Sequence, residues 1–207
     1  MIQPTEQDIA IHQQWVADGG REKLVTFDFL TPESTVWEIG GWRGEWTETI
    51  AKKYDPFIHV FEPVQCWWLK MLGMFKGNPK ISLWNYGLGS LDRFEEIGVD
   101  LDASGIFCDS KEKIGIQIRS VLDVMEDLNT DEIDVTQCNC EGGEYEIFPE
   151  LIDTGMINRF KVLAIQFHNL HPTHAFERIK IQDGLSQTHV MTSCYDWKFE
   201  YWERKNA

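Results

Sequence analysis

The chain has 207 residues, 43% of them hydrophobic, and a formal net charge of -15 at pH 7; this suits one folded domain with a sizeable core. So acidic a surface repels phosphate backbones, which argues against DNA or RNA as a partner and favours a neutral or cationic small molecule. No apolar run reaches the roughly 20 residues of a bilayer span, and MIQPTEQDIAIHQQW lacks the basic and apolar stretches of a secretory signal, so a cytoplasmic protein with no membrane partner is expected.

Residues 1–30 read as an N-terminal helical extension, with Ile9, Ile11 and Trp15 on one face and Gly19–Gly20 ending the helix. Thr35–Ile39 is apolar enough for a buried parallel strand. A tight turn follows at Gly40–Gly44, then a helix over Glu45–Tyr54 with Trp46, Ile50 and Ala51 inward, and a strand over Phe57–Phe61. Pro63 opens another helical stretch carrying Cys66, Trp67, Leu69, Met71 and Leu72. Lys80–Tyr86 is the third strand and Gly87–Ser90 a loop. Residues 93–99 and 114–119 alternate and suggest an edge hairpin or an extra arm. A helix over Val121–Leu128, a strand over Ile133–Cys138, a helix over Gly143–Asp153, a strand over Lys161–Phe167 and a helix over Ala175–Gly184 follow. His189–Cys194 and Trp197–Trp202 close the chain around a turn at Tyr195–Asp196.

Strands alternating with helices imply a parallel α/β sheet with right-handed crossovers. The last two strands have no room for a crossover helix and must pair antiparallel. The result is a Rossmann-like, seven-stranded, mostly parallel sheet with an antiparallel last strand and helices on both faces. The five cysteines, at 66, 108, 138, 140 and 194, match no zinc or disulfide spacing and are read as reduced thiols, with Cys138 and Cys140 on one strand face.

Ligands in such sheets sit beyond the carboxyl ends of the strands. The first strand ends at Glu38 and turns through Gly40, Gly41, Trp42 and Gly44; glycine there lets the backbone bend sharply and approach a ligand without a Cβ. The next helix offers free N–H groups. Glu62 ends the second strand, where a carboxylate accepts hydrogen bonds from a ribose diol. The spacing is E-x-G-x-x-x-G, not the G-x-G-x-x-G of NAD sites, so an adenosine cofactor other than NAD is favoured. Of the nine tryptophans, core packing is expected for all near this motif except Trp42.

Seven segments carry a family resemblance: VWEIGGWRGEWT, VFEP at 60–63, NYGLGS at 85–90, SGIF at 104–107, IQIRSVLDVM at 116–125, IDVTQCNCEGGEYEIF at 133–148, and IQFHN at 165–169. From about Thr35 to His168 the chain resembles the FkbM-type methyltransferases, S-adenosylmethionine-dependent O-methyltransferases. The resemblance implies that 31–207 is the methyltransferase domain. It implies that Glu38, Gly40 and Gly44 shape the methionine side of the site, that Glu62 with Pro63 meets the ribose, and that Asn85, Tyr86 and Gly87 lie near the adenine. It implies a small-molecule or glycan hydroxyl as acceptor. Gln137 and Asn139 stand where the family signature K-x-D-x-E-G-x-E has Lys and Asp, and Trp42 replaces a smaller or polar residue.

O-methylation needs an aligned hydroxyl oxygen and a group to take its proton. Candidates are Glu141, Glu144 and His168, with Asn139 able to orient a hydroxyl but not to accept a proton. Glu141 and Glu144 also suit a helix start, and His168 has an ordinary pKa near 6.5. His168, His171 and His174 form H-x-x-H-x-x-H, but Pro172 breaks the helix that would align them, so no structural metal is expected. A divalent cation held by Asn139, Glu141 or His168 stays open, as do the oligomeric state and an alternative in which the chain binds the cofactor without turnover.

Overall fold

The computed structural model describes residues 5–98, 105 and 110–205. Helix α1 (Glu6–Ala17) begins with a capping box between Thr5 and Asp8 and is followed by the one-turn α2 (Gly20–Lys23). The main sheet contains β1 (Thr35–Ile39), β2 (Phe57–Phe61), β3 (Ile81–Trp84), β7 (Ile133–Cys138), β8 (Phe160–Ile165), β9 (His189–Tyr195) and β10 (Phe199–Arg204). A separate three-stranded sheet is built from β4 (Gly87–Gly89), β5 (Arg93–Gly98) and β6 (Lys113–Ser120). The remaining helices are α3 (Glu45–Tyr54), α4 (Gln65–Met74), α5 (Val121–Asp127), α6 (Glu144–Asp153) and α7 (His174–Thr188), with a 3-10 turn at Met156–Arg159.

The seven-stranded sheet runs β3-β2-β1-β7-β8-β10-β9. β3, β2, β1, β7 and β8 are mutually parallel, and β10 is antiparallel to both β8 and β9. This is the expected α/β architecture. Alternate side chains of β1 feed two cores, as strand geometry requires. Trp37 and Ile39 pack with Phe148 of α6, Val124 of α5 and Leu185 of α7, whereas Val36 packs with Ile50 of α3, Met71 of α4, and Phe27 and Leu30. Burial on both faces explains why these strands read as continuous apolar runs.

Several expectations need correction. Gly87–Gly89 is not a loop: it pairs parallel to β6, Gly87 opposite Ile118. As one of the two expectations for this region had it, an extra arm stands outside the main sheet, with Arg93–Gly98 antiparallel to β6. β3 stops at Trp84 because Asn85 turns aside to donate to the carbonyls of Glu62 and Pro63 at 3.0 and 3.1 Å. β10 begins at Phe199, leaving Trp197 in the turn. On α1 only Trp15 is buried, and Ile9 is 47% exposed; Trp15 stacks on Phe199 and donates to Tyr201 at 3.2 Å. On α4, Met71 is the buried residue while Leu69 and Leu72 are exposed. Of SGIF, only Gly105 lies within the described residues, bridged to Gly98; Cys108 also lies outside them. Cys66, Cys138, Cys140 and Cys194 are free thiols, with the sulfurs of Cys138 and Cys140 3.6 Å apart. No described helix is long and apolar enough to cross a membrane.

Candidate active site at the carboxyl ends of the strands

The exits of β1 and β7 are pressed together. Gly40 has φ +92°, and a Cβ there would lie 1.9 Å from the Asn139 carbonyl oxygen, so no other residue fits. The Gly40 N–H donates to Phe61 O at 2.9 Å and the Asn139 N–H to Ile39 O at 2.8 Å, stitching three strand ends into one rim. Gly41 and Gly44 do different work: their Cα positions lie against Val60, Met71 and Phe75 and let α3, α4 and β2 close up. The left-handed backbone of Trp42 (φ +43°) turns its side chain over a cavity of about 340 Å³ at this rim, a volume within the range of small-ligand sites.

Glu62 spans the rim. Its Oε2 accepts the Trp42 N–H at 2.7 Å and its Oε1 the Val64 N–H at 2.8 Å. Burial pushes its pKa up to about 7 against the pull of those two bonds. Glu38, on the neighbouring strand β1, is 3% exposed and does not line the cavity. Burial raises its pKa to about 8, the Thr47 hydroxyl that donates to it works the other way, and the Glu62 charge adds to the rise. Glu38 is therefore a neutral acid at pH 7. Its register partner on β7 is Gln137, so no cation on that strand offsets a charge at Glu38. Pro63, Val64 and Gly87 line the cavity, whereas Asn85 and Tyr86 stand behind it. Tyr86 packs on Phe61 at 5.9 Å.

Apolar walls come from Ile39, Phe61, Trp67, Leu88, Ile116 and Ile118. The arm thus roofs the cavity, and Arg93 of β5 ties that roof to α6 through a two-pronged pair with Glu146 at 2.8 and 2.7 Å. Trp67, expected in the core, lines the cavity beside Trp42, their rings 6.1 Å apart. The polar end carries Asn139, Glu141, Gln166 and Lys198. Asn139 Oδ1 is buried without a hydrogen-bond partner among the described residues. A buried unpaired acceptor costs about 1–3 kcal/mol, and the residue that carries it, Asn139, lines the cavity. Gly40 at its close approach, the Glu62 carboxylate and this acceptor, set against apolar walls, fit an adenosine-type cofactor bearing an amino acid end.

Glu141, His168 and Glu144 form one cluster. His168 Nδ1 lies 2.8 Å from Glu144 Oε1 and Nε2 lies 3.1 Å from Glu141 Oε1. Glu144 is fully buried and also accepts the N–H groups of Cys140 (3.2 Å) and Gly142 (3.0 Å), so it organises the turn into α6. Burial of His168 pulls its pKa down, but the charge of Glu144 and the hydrogen bonds to Glu141 and Glu144 outweigh it and raise the pKa to about 10. His168 is an imidazolium at neutral pH, not the ring of ordinary pKa that its residue type suggests. Gln166 lies 3.3 Å from the same Nε2; a protonated ring there requires the amide oxygen to face it. Glu141 adopts φ +51° and faces the cavity. His171 and His174 do not join this cluster: His171 Nδ1 meets Thr173 Oγ1 at 2.8 Å, and His174 Nδ1 meets the His168 carbonyl at 2.9 Å while its ring stacks on Tyr145. Among the described residues no three His, Cys, Asp or Glu side chains are placed to hold a metal ion.

Gln166, Lys198, Trp67 and Arg93 are site residues that the motifs did not single out. Gln166 sits inside IQFHN, two residues before His168 on the same strand exit, and that spacing was its available signal. Lys198 and Arg93 reach the cavity from distant chain segments and carry no local signature.

No family profile matches the chain, and no curated protein matches it in sequence. Solved structures do match. Methyltransferase FkbM from Methylobacillus flagellatus KT superposes with a TM-score of 0.57 at 14% identity, over 88% of this chain and 46% of that one. An rRNA methylase from Streptococcus thermophilus gives 0.54 at 12% identity over 90% and 94%. Precorrin-6y C5,15-methyltransferase from Geobacter metallireducens GS-15 gives 0.51 at 11% over 90% and 87%. This chain spans under half the length of the FkbM structure and nearly the whole of the other two. The fold is the Rossmann-like fold of class I methyltransferases.

Proposed function

We propose that the protein is an S-adenosylmethionine-dependent methyltransferase acting on a hydroxyl of a sugar or other small metabolite. The observation that carries this reading is the convergence of the Gly40 turn, the Glu62 carboxylate and Asn139 on one cavity in this fold. When bound, S-adenosylmethionine supplies a methyl carbon on a sulfonium, whose C–S electron pair leaves with S-adenosylhomocysteine. Glu62 and Pro63 would hold the ribose end, the Gly40 turn and Asn139 the amino acid end, and the arm would exclude water from above.

Glu141 is the residue to take the hydroxyl proton, because it alone of the three clustered groups faces the cavity with a carboxylate. His168, already protonated, positions Glu141, and Glu144 fixes His168. This reading replaces His168 and Glu144 as proton acceptors, since a ring with a pKa near 10 has no proton to gain at pH 7. An RNA acceptor, as the name of the Streptococcus protein would suggest, fits poorly with a net charge of -15.

Calorimetry with S-adenosylhomocysteine tests the cofactor half. Wild type should bind, Glu62→Ala should lose at least 100-fold in affinity, and Glu141→Gln should stay within threefold of wild type. Absence of wild-type binding would sink the reading. Binding with no label transfer from methyl-tritiated cofactor to any of a broad set of hydroxyl compounds would instead favour a cofactor-binding module, the outcome to which Gln137 and Asn139 in place of Lys and Asp would lead.

A further inference from the structure

A second cavity, of about 350 Å³, lies between α1 and the β9–β10 turn, lined by Asp8, Ile9, His12, Gln166, Trp197 and Lys198 among others. Gln166 and Lys198 line the first cavity too, so these side chains form a wall common to both. Gln166 is also 3.3 Å from His168 Nε2, the nitrogen that holds Glu141. Gln166 thus ties the second cavity to the His168–Glu141 cluster.

The wall of this groove is built firmly. Arg178 is buried on α7, with Nε 2.6 Å from Glu200 Oε1 and Nη2 3.0 Å from Asp196 Oδ1. Its guanidinium lies 4.7 Å from the Trp197 ring centre. Glu200 is further held by Gln182 at 2.7 Å and Trp202 at 2.9 Å. Trp197 adopts φ +56°, a conformation that bulky residues rarely take. A Lys198 N–H to Tyr195 O bond of 2.9 Å closes the turn. The opposite wall is held by Tyr195, whose hydroxyl donates to Asp18 at 3.0 Å, and by Lys198, whose ammonium lies 5.1 Å from the Trp15 ring. Strain of this kind persists where surrounding contacts over-determine it, and it concentrates at functional positions.

We infer that this groove is the acceptor subsite, and that it takes a polyhydroxylated ring of monosaccharide or disaccharide size; the inference rests on the methyl-transfer reading above and deepens it. An indole offers an apolar surface for the C–H face of a sugar. Around it stand a carboxylate (Asp196), an ammonium (Lys198), and an imidazole and an amide (His12, Gln166) that each donate and accept. Such a mixed set matches hydroxyls, which donate and accept at every position. A polyanion would meet Asp8 and Asp196.

The test uses the full chain and saturation-transfer NMR with methyl α-D-glucopyranoside, methyl α-D-mannopyranoside, methyl β-D-galactopyranoside and methyl α-L-rhamnopyranoside. At least one should receive saturation on its ring protons. Trp197→Ala should weaken that binding at least tenfold, and His12→Ala, an exposed change that leaves the fold intact, at least threefold. Affinity for S-adenosylhomocysteine should stay within twofold in both variants. No binding by any of the four glycosides, or binding unchanged in both variants, would overturn the subsite. Sugar binding that responds to the variants in a protein that ignores S-adenosylhomocysteine would keep the groove and remove methyl transfer.

Discussion

The charge state of His168 offers a direct probe of the site. Its pKa rises from 6.5 to about 10 in the fold, and at 1.36 kcal/mol per pH unit this corresponds to about 5 kcal/mol net, what is left of the attraction to Glu141 and Glu144 after the cost of burying the imidazolium. Glu144 is fully buried and holds the shorter contact, 2.8 against 3.1 Å, so the larger part is assigned to it. Glu144→Gln should therefore cost about 3 kcal/mol at pH 6.5, near the lower end of the effect of breaking a buried pair. The sign with pH follows from a raised histidine. The stabilisation is complete below pH 6.5, drains as pH rises, and is gone above about 10. Urea unfolding of wild type and Glu144→Gln at pH 6.5 and pH 9.5 should show the difference shrinking to about 1 kcal/mol or less. Proton-nitrogen correlation spectra of the histidines should show His168 protonated on both nitrogens at pH 7.5 in wild type and on one in Glu144→Gln. A wild-type ring titrating near 6.5, or a variant within 0.5 kcal/mol of wild type at pH 6.5, would refute the reasoning.

Two further outcomes are expected. Because the folded pKa of Glu38 is raised from 4.5 to about 8, the fold binds its proton, and wild-type stability falls as pH rises through that interval. Glu38→Gln, which has no proton to lose, should gain about 3 kcal/mol on wild type between pH 6 and pH 9 in urea titrations; equal slopes would contradict a neutral Glu38. Gly40→Ala places a methyl on the Asn139 carbonyl in a left-handed backbone and should cost about 3 kcal/mol or more, lowering Tm by about 6–12 °C in a circular-dichroism melt. A drop below 2 °C would mean that the strand exits separate easily.

Much of the scaffold was readable before any coordinates. β1 and β2 run over the residues expected, because strands buried on both faces must be apolar throughout and end where glycine or charge begins. Gly87–Gly89 was not readable: it has little side chain, and its pairing with β6 depends on a partner 31 residues later. The site divides along the same line. Gly40 and Glu62 sit at strand exits, where local pattern is informative. The charge on His168 arises from Glu144, 24 residues distant in sequence, so its residue type pointed to a base where the packing makes a cation. Likewise Gln166 and Lys198 acquire their place only when β8 and the β9–β10 turn close on α1.

Three bulky or charged residues, Trp42, Glu141 and Trp197, hold left-handed backbone at φ +43°, +51° and +56°, and all three line the two neighbouring cavities. Each such position costs about 1 kcal/mol or more that glycine would not. Glycine would recover that cost but forfeit the Glu141 pair with His168 and the packing of the two tryptophans on Trp67 and Arg178. Durability and the shape of the two cavities therefore rest on the same three side chains, and any engineering of this chain for heat resistance needs to hold positions 42, 141 and 197 constant.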